Sequence, residues 1–168
     1  MVSSFPFILV VEDNADDTLL LRLAFERAGA SAKVLFLQEG GQAVTYLERD
    51  GPHGDRTCFP LPDLFLVDVR LPDMTGFELL EWVHVRPALR RMRVGVLSGL
   101  KLERDEATAR ALGASFYILK PNSFATLVQI ARRLGEECVA GQSAVPSCGG
   151  LQKFGEQTRP AGRFLVLD

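Results

Sequence analysis

The chain is poor in the residues that carry thiol and metal chemistry. It has three cysteines, Cys58, Cys138 and Cys148, and two histidines, His53 and His84, in 168 residues. The cysteines are odd in number, widely spaced and form no Cys-x-x-Cys pair. They fit neither a zinc site nor a disulfide framework and read as free thiols. Neither histidine is paired with a nucleophile. No apolar run is long enough to span a bilayer, and Met1-Val2-Ser3-Ser4 lacks the basic start of a signal peptide. The expectation is a cytoplasmic protein without membrane contact. Net charge is only -2, so nothing favours nucleic acid or an anionic surface as partner. The local cluster Arg86, Arg90, Arg91 and Arg93 reads as a solvated helix end. Several motifs are missing as well. No glycine-rich phosphate loop follows the first strand. Gly95-Val96-Leu97-Ser98-Gly99 is not a Gly-x-Ser-x-Gly elbow. Asp68-Val69-Arg70 lacks the second carboxylate of an Asp-x-Asp phosphatase.

What is present is an ordinary globular composition, 47% hydrophobic and 24% charged, in which strand and helix patterns alternate. Phe7–Val11 is a continuous apolar run, as expected of a strand buried on both faces. Ala15–Ala28 has Leu19, Leu20, Leu23 and Ala24 at helical spacing and ends at Gly29. Lys33–Leu37 reads as a strand and Gly41–Arg49 as a helix. Asp50–Pro62, with five glycines and prolines, reads as a loop. Leu64–Val67 is a third strand, Thr75–Val85 a helix, Val94–Leu97 a strand weakened by Gly95, Leu102–Leu112 a helix, Ser115–Leu119 a fifth strand, and Ser123–Val139 a last helix. Five such units predict a doubly wound, five-stranded parallel sheet with helices on both faces. Residues 5–140 form the domain. The remainder, 141–168, is a Gly/Pro-containing extension with an apolar end, Phe164–Leu167, which suggests docking on this domain or on a partner.

In such folds ligands bind beyond the carboxyl ends of the strands. Those ends carry Glu12 and Asp13, then Asp68, then Ser98, then Lys120 with Pro121 behind it. Three carboxylates in one pocket repel one another, and a hard divalent cation relieves the repulsion. Mg²⁺ accepts oxygen ligands and keeps waters that leave room for a phosphate oxygen. Lys120 is suited to pairing with phosphate and Ser98 to donating one hydrogen bond. A carboxylate can act as nucleophile and form an acyl phosphate. Asp68, at the end of the central strand, is the candidate. The residues therefore point to Mg²⁺-assisted phosphoryl transfer onto an aspartate.

Taken together, Val10-Val11-Glu12-Asp13-Asn14, Asp68-x-x-Leu71-Pro72-x-Met74-x-Gly76, Leu97-Ser98-Gly99 and Tyr117-Ile118-Leu119-Lys120-Pro121 resemble the receiver domains of bacterial response regulators. The likeness runs from residue 6 to about 140, with every key position filled in order. It implies a flavodoxin-like sheet of order 2-1-3-4-5. It also implies roles: Asp68 accepts phosphate from a sensor histidine kinase; Asp13, Asp68 and the carbonyl of Arg70 ligate Mg²⁺; Glu12 acts through water. Ser98 and Lys120 contact the phosphoryl group. Tyr117 is the aromatic switch that turns inward when Ser98 moves. Pro60-Leu61-Pro62-Asp63 and Arg86-Pro87-Ala88-Leu89-Arg90-Arg91 look like stand-alone regulators partnered with phytochrome-type kinases. Arg93-Val94-Gly95-Val96 and Ser98 in place of the commoner Thr depart from the family pattern.

The expected function is thus a single-domain response regulator, a phosphoacceptor rather than an enzyme apart from slow self-dephosphorylation. The surface of the fourth helix, fifth strand and fifth helix, around Leu112 and Phe116, is the candidate homodimer face. The competing expectation is a receiver-like interaction module that is never phosphorylated.

Overall fold

The computed structural model describes residues 5–30, 32–48, 60–142 and 164–168. His53, Cys58, Cys148 and most of the loop and extension read from the sequence lie outside the described residues. Strands β1 (Phe7–Val11), β2 (Lys33–Leu37), β3 (Leu64–Asp68), β4 (Arg93–Ser98) and β5 (Phe116–Leu119) alternate with helices α1 (Ala15–Arg27), α2 (Gly40–Leu47), α3 (Gly76–His84), α4 (Glu103–Ala111) and α5 (Phe124–Gln142). A short 3-10 turn, Pro87–Leu89, precedes β4. The sheet is parallel, in the order β2-β1-β3-β4-β5 expected of the flavodoxin-like class, with one addition: β6 (Leu165–Leu167) pairs in parallel with β5.

Strand alternation divides the core between the two faces. Leu9, Val11, Phe65, Val67, Val94 and Val96 point toward α2, α3 and α4. Ile8, Val10, Leu64, Leu66, Phe116 and Ile118 point toward α1 and α5. β3 is buried at every residue, as a central strand must be. Gly95 makes room for its neighbours: a Cβ there would stand 2.7 Å from Leu66 Cδ2 and 3.3 Å from Phe116 Cβ, so the Leu66 side chain would have to shift. Cys138 is the one free cysteine among the described residues, and its burial pushes the thiol up to about 12, an inert state.

The sixth strand corrects the five-stranded expectation and decides between the two fates left open for the apolar end of the chain. Leu165 pairs with Phe116 and Leu167 with Ile118, and Leu165 N donates to Ser115 O at 3.0 Å. Leu167 enters the core beside α5, while Phe164 packs on the opposite face under the Arg110 guanidinium, 4.5 Å from the ring centroid. Lys101 and Asp168 form an exposed ion pair at 3.7 Å. β5 is therefore an interior strand, and its Tyr117 is fully buried. No helix of the described residues is long and apolar enough to cross a membrane.

Candidate functional site

The carboxyl ends of β1, β3, β4 and β5 lie side by side, and ladder hydrogen bonds set their height. Glu12 N donates to Leu37 O (2.9 Å), Val69 N to Leu97 O (2.9 Å) and Lys120 N to Ser98 O (2.8 Å). These bonds continue the sheet one residue past β1, β3 and β5. Glu12, Asp68 and Ser98 are the buried polar or charged residues among those described, 1%, 6% and 3% exposed. Asp13 stands exposed at the mouth.

Lys120 is the hub. Its Nζ lies 2.6 Å from Glu12 Oε2 and 2.8 Å from Asp17 Oδ2, and it also contacts Asp68 Oδ2. The other Asp68 oxygen, Oδ1, accepts from Arg70 N at 2.7 Å. Burial opposes the charge on Lys120, but the acceptors Asp17, Asp68 and Glu12 outweigh it and hold the pKa well above the ordinary value. Burial dominates at Glu12, against the pull of Lys120, and its pKa is pushed up to about 7. Glu12 Oε2 meets the ammonium as an ion pair but makes no aligned hydrogen bond, so a buried oxygen is left short of a donor.

The loop after β3 is built to hold still. Gly76 N donates to Val69 O at 2.9 Å. A Cβ on Gly76 would lie 2.1 Å from Asp68 O, so only glycine lets α3 start this close to the nucleophile candidate. Thr75 and Glu78 close a capping box at the start of α3. The Asp73 carboxylate accepts from Gly40 N (2.9 Å) and Gly41 N (2.7 Å), capping α2, which lacks a side-chain cap of its own.

Ser98 Oγ donates to Leu100 O at 2.8 Å, and Tyr117 Oη donates to the same oxygen at 3.2 Å. Tyr117 is buried, its ring packed in the core beneath α4. The structure brings together Glu12, Asp68, Ser98 and Lys120, as read from the sequence, and adds Asp17, which the sequence reading passed over. The signal was there: Asp17 lies one helical turn beyond Asp13, behind Asn14, whose Oδ1 caps α1 by accepting from Asp17 N at 2.9 Å.

Among the described residues no three His, Cys, Asp or Glu side chains surround a common point as a closed metal set. The donor chemistry nonetheless fits Mg²⁺, which needs only one or two carboxylates, a carbonyl and waters. The under-bonded Glu12 oxygen is suited to a metal-bound water.

The response regulator receiver domain family matches residues 8–132. The chain is 35% identical over 132 residues to the probable methanogenesis regulatory protein FilR2 of Methanothrix harundinacea, covering 78% of this chain and 83% of that one. It is 28% identical over 123 residues to the response regulator Rcp1 of Synechocystis, covering 73% and 82%. The structure is similar to that of the phosphorylated cyanobacterial phytochrome response regulator RcpA, with TM-score 0.71, 30% identity, and 82% of this chain and 96% of that one covered. It is also similar to a Mn(2+)-bound form of Rcp1, with TM-score 0.66, 26% identity, and 77% and 91% covered. The chain belongs to the response regulator receiver domain family and is a phosphoacceptor signalling protein of the two-component type.

Proposed function

We propose that Asp68 is the phosphoacceptor and that the donor is the phosphohistidine of a sensor kinase, of the phytochrome type given the likeness to Rcp1 and RcpA. The observation that carries this reading is the contact of Lys120 with Asp68 at the end of the central strand, beside Glu12 and Ser98. An Asp68 carboxylate oxygen attacks phosphorus as the P–N bond to imidazole breaks, and the leaving nitrogen takes a proton. Lys120 pairs with the phosphoryl oxygens, and Ser98 Oγ leaves Leu100 O to donate to one of them. Asp13, Asp68 and the carbonyl of Arg70 would hold Mg²⁺, with Glu12 reaching it through water. When bound, the cation offsets the charge of the acids and of the incoming phosphoryl group. Water attack on the acyl phosphate returns the free carboxylate slowly.

The α4–β5–α5 side is the surface that responds, because Ser98, which is to turn to the phosphoryl group, shares the acceptor Leu100 O with Tyr117 of β5. Its β5 edge is closed by β6, so a partner or second copy docking there meets β6 first.

Labelling with radioactive acetyl phosphate and Mg²⁺ tests the assignment. The wild-type chain takes label and Asp68→Asn does not. Equal labelling of both would sink it, and no labelling of either would favour an interaction module that is never phosphorylated.

A further inference from the structure

A lysine ammonium has three N–H donors, and three carboxylates surround the one on Lys120: it donates to Asp17 Oδ2 at 2.8 Å and meets Glu12 and Asp68 as ion pairs. These acceptors are not equivalent. Asp68 is the group proposed to be phosphorylated, which turns its carboxylate into an acyl phosphate and moves the negative charge outward. Glu12 is the acid proposed to face the metal through water. Both must change partners in the reaction. Asp17 need not, since it stands on the first turn of α1, outside the other two, and its side chain is 38% exposed.

Local structure holds Asp17 there. Asn14 caps α1 through Asp17 N, so backbone and carboxylate are set by the same turn. Thr18 Oγ1 reaches Glu12 O at 3.4 Å and ties that turn back to β1. α1 packs along α5, the helix that follows the Lys120–Pro121 segment. Beside Lys120, a recess of about 40 Å³ lined by Asp17, Leu20, Leu21 and Pro121 has room for a few waters and no organic ligand.

We propose that Asp17 is a positioning residue: it anchors Lys120 from outside, so that the ammonium stays aimed at Asp68 while Glu12 and Asp68 change partners. Its consequence for phosphoryl transfer rests on Asp68 being the phosphoacceptor. The anchoring itself does not. With Asp17 gone, the Lys120 side chain swings between two acids that the reaction takes away from it, and small misplacements of a charged group at a reacting centre are expensive in rate.

Two measurements on the full chain test this. The first is reactivity of Lys120 toward an amine-acylating reagent, read by mass spectrometry against the exposed Lys33 and Lys101 as internal references. Asp17→Asn should make Lys120 several-fold more reactive, Asp17→Glu should restore protection, and Asp16→Asn should leave it unchanged. Asp16 is an exposed neighbour in the same helical turn, so its variant makes the same charge change without touching Lys120. The second is the rate of labelling by acetyl phosphate at saturating Mg²⁺. It should fall about tenfold in Asp17→Asn and hold in Asp16→Asn. In a Lys120→Met background Asp17→Asn should add nothing. Unchanged Lys120 reactivity in Asp17→Asn overturns the anchoring, and equal effects of Asp16→Asn and Asp17→Asn reduce it to net charge, which overturns it too. A wild-type chain that takes no label but shows the expected acylation pattern defeats the phosphoacceptor reading and leaves the anchoring standing.

Discussion

The hydroxyls of Ser98 and Tyr117 converge on one acceptor, the carbonyl oxygen of Leu100, at 2.8 and 3.2 Å. Ser98 sits at the end of β4 and Tyr117 inside β5, so this carbonyl joins the carboxyl end of β4 to the core beneath α4. If Ser98 turns to a phosphoryl group, Tyr117 is left as the side-chain donor to Leu100 O, and the ring has reason to stay inward. Tyr117→Phe removes that donor without changing the packed ring. It should lower stability by about 1 kcal/mol, the usual net worth of such a bond. Urea unfolding with an unchanged midpoint would mean that the hydroxyl gains nothing over water.

If Glu12 reaches the metal as proposed, its protonation is tied to metal affinity. Burial raises its pKa from 4.5 to about 7 despite the Lys120 ion pair. The folded state therefore binds a proton more tightly than the unfolded chain does. This contribution to stability is complete below about 4.5 and is lost as pH rises through about 7. A cation competes with that proton. Mg²⁺ affinity measured by calorimetry should accordingly rise from pH 6 to pH 8, and Glu12→Gln should flatten the rise. A wild-type affinity constant across this range would contradict the assignment.

Asp73 acts across a gap in sequence, capping α2 from the loop that follows β3. Slight desolvation would raise its pKa, but the Gly41 and Gly40 amides outweigh this and hold the carboxyl below the ordinary 3.8. A depressed carboxylate stabilises the fold above its unfolded pKa and loses that contribution as pH falls through the folded value. Asp73→Ala should therefore lower stability by about 1 kcal/mol near pH 7, in the range of other lost caps. Exposure and salt screening keep the figure modest. Wild type and variant should converge in acid, and a gap that persists at pH 2 would assign the loss to something other than the charge.

β6 can be tested through one side chain. Leu167 is 4% exposed and packs with Ile118, Leu127 and neighbours beside α5. Leu167→Ala should destabilise the chain by about 2 kcal/mol, at the low end for a buried leucine because a terminal strand relaxes easily. A chain ending at Gln142 should expose the β5 edge and self-associate through it, measurable as an increase in mass in solution. Wild-type stability in Leu167→Ala would show that the strand is not seated.

The architecture and most of the site were legible in the chain because both rest on short-range signals. Apolar runs such as Leu64–Val67 mark buried parallel strands, and side chains just past strand ends share one edge of the sheet whatever their separation in sequence. Glu12, Asp68, Ser98 and Lys120 could thus be grouped before any coordinate was known. Local spacing says nothing about what reaches in from a neighbouring layer. Nothing in the local spacing singled out Asp17, and only the packing of α1 beside the Lys120 segment brings it to the ammonium. Gly95 looked like a weakness in β4 until Leu66 was seen to occupy the space above it. The apolar end of the chain declared that it needed burial, while its seat on β5 depended on a free strand edge, a property of the assembled sheet. Residue type and order determined which chemistry was available here. Tertiary packing decided which groups hold Lys120, which way Tyr117 faces and what pairs with the edge of β5.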